Sequence, residues 1–271
     1  MVKIDKIVFT DPVLGQAFIE GIPRGSLIIF SGVPGIGKSV FIYNIVAEML
    51  RRDEKVIYVL FDDDPSYLLS QLKILDIDVN DAVEKDKLIL VDIFTTPILD
   101  IKPRIKLATS LNTVDPVECL QVIHRIIKEK NVGGKGVMII DSLNEIVLRY
   151  QPGIVLDFIK GIKRIVRTYN LTCVATLHTG IPGLEQVYAA MEYVSDGFVE
   201  FSFDPQLEDM GIPLRRLRVK KLKGAAHSLQ WIPYTILRGG KIAVVDVRSI
   251  VESIRTTMNK LKELAISGKS T

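Results

Sequence analysis

The sequence predicts an α/β fold in which helices cover a doubly wound, mostly parallel sheet that carries antiparallel strands at a C-terminal edge. Three observations carry this reading. Short β-branched runs alternate with longer stretches of helical periodicity over the first two thirds of the chain. Those runs are almost wholly apolar, as strands covered on both faces must be. The last third then changes to successive strands with a glycine turn.

Leu27–Ser31, Lys55–Phe61, Leu88–Phe94, Gly136–Asp141 and Leu171–Leu177 read as the parallel strands. Helices are expected between them, connected by right-handed crossovers. Lys38–Arg51 follows a glycine loop, and Asp64-Pro65 opens a second helix with an N-cap acid and a proline at the first helical position. Asp115-Pro116 opens a third, periodic through Ile127 and stopped at Gly133-Gly134, and Pro152 opens a fourth that ends near Asn170. Gly197–Phe203, Leu214–Lys223 and Tyr234–Val245 read as the later strands, the last containing the Gly239-Gly240 turn. The spacing predicts one domain over 1–246, then a helix over Val247–Ala265 and a frayed tail to Thr271. Thr95–Asn112 has two prolines and no clean period, and reads as a long loop where a protein partner could dock.

Composition narrows the classes. The chain has 271 residues, 48% of them hydrophobic, enough for one large α/β domain. A net charge of +3 does not by itself point to nucleic acid or a membrane. Cys119 and Cys173 lie far apart in apolar runs and read as buried thiols in a reducing compartment. His124, His178 and His227 have no metal-ligand spacing. Met1–Ile7 lacks a signal-peptide core and no apolar run is long enough to cross a bilayer, so a cytoplasmic protein without membrane insertion is expected.

The chemistry concentrates at strand ends. Gly32-Val33-Pro34-Gly35-Ile36-Gly37-Lys38-Ser39 fits GxxxxGK[ST], between a predicted strand and a predicted helix. Glycines let backbone N–H groups curl around phosphate oxygens, and the positive end of the helix adds attraction. Lys38 is expected to reach the β- and γ-phosphates of ATP and the Ser39 hydroxyl to ligate Mg²⁺. Asp141, closing an apolar strand, is the candidate second group on the metal; Asp92 is its rival, but lies inside its run. Asp62, Asp63 and Asp64 crowd the carboxyl end of another strand, where ligands of such sheets bind. Asp64 is the helix cap, while Asp62 or Asp63 is placed to orient or deprotonate water, with a raised pKa expected for at least one.

In this order the motifs resemble the KaiC-like branch of the RecA superfamily, which implies a RecA-like P-loop NTPase fold. The resemblance runs from about Asp11 to Val245 and holds one P-loop, hence a single-domain member. Gly21–Ser26 is similar to the family's lead-in to its first core strand. Phe61-Asp62-Asp63-Asp64-Pro65 stands where the family has Phe-Glu-Glu-x-Pro, Asp141-Ser142 matches its metal-side Asp-Ser, and Tyr193–Gly197 resembles its Val-Ser-Asp stretch. Lys221–Ser228 resembles its Lys-Leu-Arg-Gly-x-x-His segment. The resemblance implies a homo-oligomeric ring, usually a hexamer, with ATP between subunits and Lys221 and Lys223 reaching the γ-phosphate held by the neighbour. Both lysines are expected on one face of a strand. Two departures stand out. Aspartates replace the glutamates, one methylene shorter, and Lys223 replaces an arginine and loses its fork. Slow hydrolysis coupled to assembly or signalling is therefore expected.

Two other readings remain open. One is a recombinase-like repair protein binding single-stranded DNA, suggested by the basic run Arg215, Arg216, Arg218, Lys220, Lys221 and Lys223. That run also suits an edge strand blunted by solvated charge, and the loops expected to hold DNA, Leu143–Pro152 and His178–Gln186, contain Arg149 and no lysine. The other is a non-hydrolysing ATP switch that scaffolds a larger machine. His178, at a strand end, is a candidate γ-phosphate sensor or a capped loop histidine.

Overall fold

The computed structural model describes residues 5–93, 106–111, 113–247 and 256. A two-stranded ribbon, β1 (Lys6–Ile7) and β2 (Ile22–Pro23), flanks α1 (Pro12–Ala17) and leads into the main sheet. β3 (Leu27–Gly32) passes through the glycine loop into α2 (Lys38–Arg51), then β4 (Val56–Leu60). Asp64 caps α3 (Pro65–Ile74) by accepting from the Ser66 amide at 2.7 Å. α4 (Val79–Glu84), β5 (Leu88–Asp92) and β6 (Thr109–Ser110) follow. Asp115 caps α5 (Pro116–Glu129) through the amides of Val117 and Glu118 at 3.0 and 2.8 Å. Then come β7 (Val137–Asp141), α6 (Asn144–Arg149), α7 (Pro152–Tyr169), β8 (Thr172–His178), α8 (Glu185–Val194) and β9 (Gly197–Phe203). A single turn, α9 (Pro205–Glu208), precedes β10 (Arg215–Leu222), β11 (Ile232–Ile236) and β12 (Ile242–Val244).

The strands form one sheet in the order β12-β11-β10-β9-β3-β8-β7-β4-β5-β6. From β9 to β6 every pairing is parallel; β10, β11 and β12 are antiparallel. α1 to α4 bury one apolar face, with Phe41 in edge contact with Phe201 and Tyr234 at 5.1 and 4.9 Å between ring centroids. α5 to α8 cover the other face over Ile29, Val59, Ile140 and Ala175. The amphipathic helices thus sort to two sides of a sheet whose strands are apolar on both.

Four expectations need correction. β9 is not an edge strand: it pairs in parallel with β3, because its apolar residues are buried on both faces. β10 is not an edge strand either, since β11 and β12 continue the sheet beyond it. The Leu143–Pro152 loop holds the helix α6, whose Ile146 and Val147 are buried. The Thr95–Asn112 segment ends in β6, paired with β5 through Val91 and Asp92; the rest of it, apart from 106–108 and Leu111, and the predicted helix and tail, apart from 247 and 256, lie outside the described residues.

The start of β3 is fixed by a buried carboxylate. Asp196 is 3% exposed and accepts from the Leu27 amide at 3.2 Å. It also pairs with Lys163 at 2.8 Å and Arg167 at 3.0 Å, both on α7. Removing one partner of a buried pair leaves the other charge uncompensated. Asp196→Ala is therefore expected to cost about 3 kcal/mol, read as a lower midpoint in urea unfolding with an unchanged slope.

Candidate functional site

Sheet register assembles the site. Gly32 on β3 lies opposite His178 on β8, and Leu60 on β4 lies opposite Asp141 on β7. The carboxyl ends of four adjacent parallel strands thus bring together the glycine loop, Asp62, Asp141 and His178. This is where the crevice of a doubly wound sheet receives ligands.

The loop needs its glycines. A Cβ on Gly32 would stand 2.6 Å from the Phe201 carbonyl oxygen, so no side chain fits. Gly37 has φ +104° and caps α2 without any side-chain hydrogen bond. The amides at the N-terminus of α2 are not side-chain capped, which suits an anion. Tyr234, buried under the loop, donates to the Ile36 carbonyl at 2.7 Å and holds it from below.

Lys38 is only 3% exposed. Its ammonium donates to the carbonyls of Gly32 at 2.7 Å and Val33 at 3.0 Å, and meets His178 Nδ1 at 3.0 Å. Burial pushes its pKa down to about 8, against the pull of Asp141. The carboxylate of Asp141 accepts from the Tyr58 hydroxyl at 2.8 Å and from the Thr176 hydroxyl. The Ser39 side chain bonds the Tyr43 hydroxyl, whose pKa burial and the nearby acids raise. One carboxylate and one serine hydroxyl form a sparse donor set. It fits Mg²⁺, which keeps waters and takes substrate phosphates, better than a metal needing an all-protein cage. No cluster of three or more His, Cys, Asp or Glu suited to a metal occurs among the described residues.

Asp92 is buried on β5, four strands from β3, whereas Asp141 on β7 is two strands away. At roughly 4.8 Å per strand, Asp141 is the acid near the loop. Asp62 has its pKa raised to about 6, chiefly by burial and further by Asp141, Glu145 and Asp63, while the Ser142 hydroxyl donates to it and opposes the shift. Asp63 is raised for similar reasons. Crowding alone was the expected cause; burial is the larger one. His178 is pushed down by burial and by Lys38, and its backbone is held on both sides by Asn144, at 2.7 Å to the amide and 3.0 Å to the carbonyl.

Lys221 and Lys223 sit elsewhere. Lys221 pairs with Phe198, near the start of β9, three residues short of the level of Gly32. That is about 10 Å along the strand, and Lys223 lies farther still. The expected shared strand face is also corrected: β10 ends at Leu222, so Lys223 falls in the following turn. Lys221 donates to the carbonyls of Glu192 and Tyr193 at the end of α8, at 2.7 and 2.8 Å, while Lys223 is exposed. The basic run is largely paired: Arg216 with Asp204, Arg218 with Glu200 and Lys220 with Glu192, with Arg216 and Arg218 also stacked against Trp231. His124 and His227 lie apart from the site, against Tyr169 and the Ala225 carbonyl; both cysteines are buried and free.

A family model described as KaiC ATPase matches residues 4–249. The chain belongs to the KaiC ATPase family. It is similar to a UPF0273 protein of Aeropyrum pernix, 24% identical over 245 residues that cover 90% of this chain and 95% of the relative. A UPF0273 protein of Pyrococcus horikoshii is 25% identical over 235 residues, 87% of this chain and 92% of that one. The fold is that of a solved KaiC-like protein from Pyrococcus horikoshii OT3, with a TM-score of 0.71 at 17% identity over 90% of this chain and all of the other. The KaiC-type architecture places the α/β core in the RecA superfamily, as the motif order predicts. No helix among the described residues is long and apolar enough to cross a membrane.

The sequence missed the residues that hold the site's groups in place: Tyr58 and Thr176 on Asp141, Ser142 on Asp62, Asn144 on His178. Tyr58 and Thr176 sit inside strands and read as core; only the Ser-x-Asn spacing after Asp141 offered a signal.

The buried ammonium of Lys38 gives a pH-dependent prediction. Below about pH 8 both folded and unfolded chains carry this charge, and the folded one bears the full penalty, on the order of 3 kcal/mol. Between about 8 and the ordinary value of 10.5 the folded state releases the proton first, and the penalty is relieved as pH rises. Lys38→Met is expected to gain stability relative to the parent chain at pH 7 and to lose most of that advantage by pH 10, measured by urea unfolding without nucleotide.

Proposed function

We propose that this KaiC-type chain is a Mg²⁺-dependent ATPase that binds ATP at Gly32–Ser39 and works as a homo-oligomeric ring, with slow hydrolysis coupled to assembly or signalling. The observation that carries it is the register that gathers the glycine loop, Lys38, Asp141, Asp62 and His178 at one end of the sheet. In this reading the loop amides and Lys38 hold the phosphates. Mg²⁺, held by Ser39 and Asp141, would neutralise phosphate charge. Asp62 or Asp63 orients the attacking water.

The position of Lys221 and Lys223 supports the ring. Within one chain they are too far from the loop to touch its phosphate. They lie toward the opposite end of the sheet, Lys221 on the last carbonyls of α8 and Lys223 exposed, so a nucleotide that met them would be one held by another subunit. A cation supplied by a neighbour would stabilise charge that develops during transfer. The pairing of the basic run with Asp204, Glu200 and Glu192 leaves little free charge for a nucleic-acid track.

Two variants test the reading. Lys38→Ala is expected to weaken ATP binding by roughly 10- to 100-fold, the worth of charge-assisted hydrogen bonds, by calorimetry; unchanged affinity would refute the site. Lys223→Ala is expected to bind ATP normally and turn over roughly 100-fold more slowly. Mixed in equal amounts, the two inactive variants should recover about a quarter of parental turnover, because one interface in four joins an intact loop to an intact lysine. No recovery in oligomers shown to exchange subunits would rule out sharing.

A further inference from the structure

We propose that His178 is the proton acceptor of this site: it holds Lys38 while the loop is empty and, once phosphate draws Lys38 away, its freed Nδ1 takes the proton of the attacking water. The proposal rests on the ATPase reading above and deepens it.

The geometry assigns the ring's tautomer. An ammonium has donors only, so Lys38, 3.0 Å from Nδ1, makes that nitrogen an acceptor and leaves the ring proton on Nε2. Nε2 stands 4.0 Å from Asp62 Oδ2, an ion-pair separation once the ring is charged. The two nitrogens thus face different partners, a cation that leaves and a carboxylate that stays. Asn144 fixes the backbone of His178 on both sides and Ser142 holds Asp62. The groups that face the ring are Lys38 from α2, Asp141 from β7 and Asp62 beyond β4, with Glu145 of α6 acting on Asp62. Burial and Lys38 keep the imidazole neutral in the empty site. Departure of Lys38 removes the nearest positive charge just when a base is needed, and Asp62, 4.0 Å from Nε2, then favours the imidazolium.

The step balances. The water oxygen forms a bond to the γ-phosphorus as the bond to the β,γ-bridging oxygen breaks, and that electron pair leaves on the diphosphate. The water proton passes to Nδ1, the imidazolium is stabilised across Nε2–H by Asp62, and the proton is later released to solvent. Asp62, a methylene shorter than a glutamate, need not take the water's proton itself. It stabilises the ring that does, and orienting the water is left to Asp62 or Asp63.

His178→Asn separates this role from a structural one, because the amide oxygen keeps an acceptor near the Nδ1 position for Lys38 but cannot take a proton. The variant is expected to bind Mg-ATP within about threefold of the parent and to turn over about 100-fold more slowly, the usual worth of a general base. The acidic limb of the parental pH–rate profile should be lost from the residual rate. Independently, ¹⁵N spectra of histidine-labelled chain should show the Nε2–H tautomer at His178 without nucleotide, and a displaced Nδ1 resonance with Mg²⁺ and a non-hydrolysable ATP analogue. Parental turnover in His178→Asn, or an Nδ1 resonance indifferent to bound analogue, overturns the proposal. So does a parent chain that binds ATP and never hydrolyses it. Failure of the parent to bind ATP at all removes the ATPase reading instead.

Discussion

A buried ammonium governs the candidate site. Lys38 is enclosed by protein, and desolvation of a charge is costly unless donors find acceptors. Two loop carbonyls and an imidazole supply them, and the curvature forced by Gly32 and Gly37 lets the carbonyls turn inward. This arrangement is a compromise. The depressed pKa of Lys38 shows that its partners do not fully replace water. A triphosphate, carrying formal negative charge, offers a better partner than neutral carbonyls, so the stored penalty becomes part of the affinity for anions.

The same balance runs through the acids. Asp141 is held by two hydroxyls, and Asp62 by one, instead of by cations. Hydroxyls orient a carboxylate without neutralising it, so the strand ends keep negative charge beside a phosphate-binding loop. That is unfavourable for ATP alone and favourable for ATP with a divalent cation. In the proposed reading, the pair of charges on Lys38 and Asp141 would favour the metal complex of the nucleotide, through electrostatics and not through a dedicated cage.

Much of the fold was legible because the strands are apolar along their length and the helices begin at Asp-Pro caps. Asp64-Pro65 and Asp115-Pro116 mark helix starts to the residue. What failed depends on pairing, which a linear pattern does not carry. The alternation of Gly197–Phe203 suits an edge as well as a core strand, and only its partner β3 decides. β10 ends at Leu222, so the two-residue rule that placed Lys221 and Lys223 together stops short of Lys223. In the site, Gly32–Ser39 and Asp141 announce themselves by local spacing. The meeting of Lys38 with His178, 140 residues apart, comes from register between β3 and β8. His178 was a candidate sensor by its position at a strand end, but its contact with the loop lysine could not be read from that.

α8 gives the ring reading a physical link between sites. Its chain begins just beyond His178 and its last carbonyls receive the amine of Lys221, while Lys163 donates to Val194 and pairs with Asp196. A change at His178 caused by nucleotide would act on the segment that leads into this helix. A pull on Lys221 by a neighbour's phosphate would act on the helix's other end. Both ends rest on the same two-sided core, and a helix of ten residues is stiff on this scale. Two separate sites that share one rigid element influence each other's free energy, and by thermodynamic linkage the influence is equal in both directions. In the proposed ring, nucleotide occupancy would bias how subunits meet, and assembly would in turn set how long the nucleotide stays.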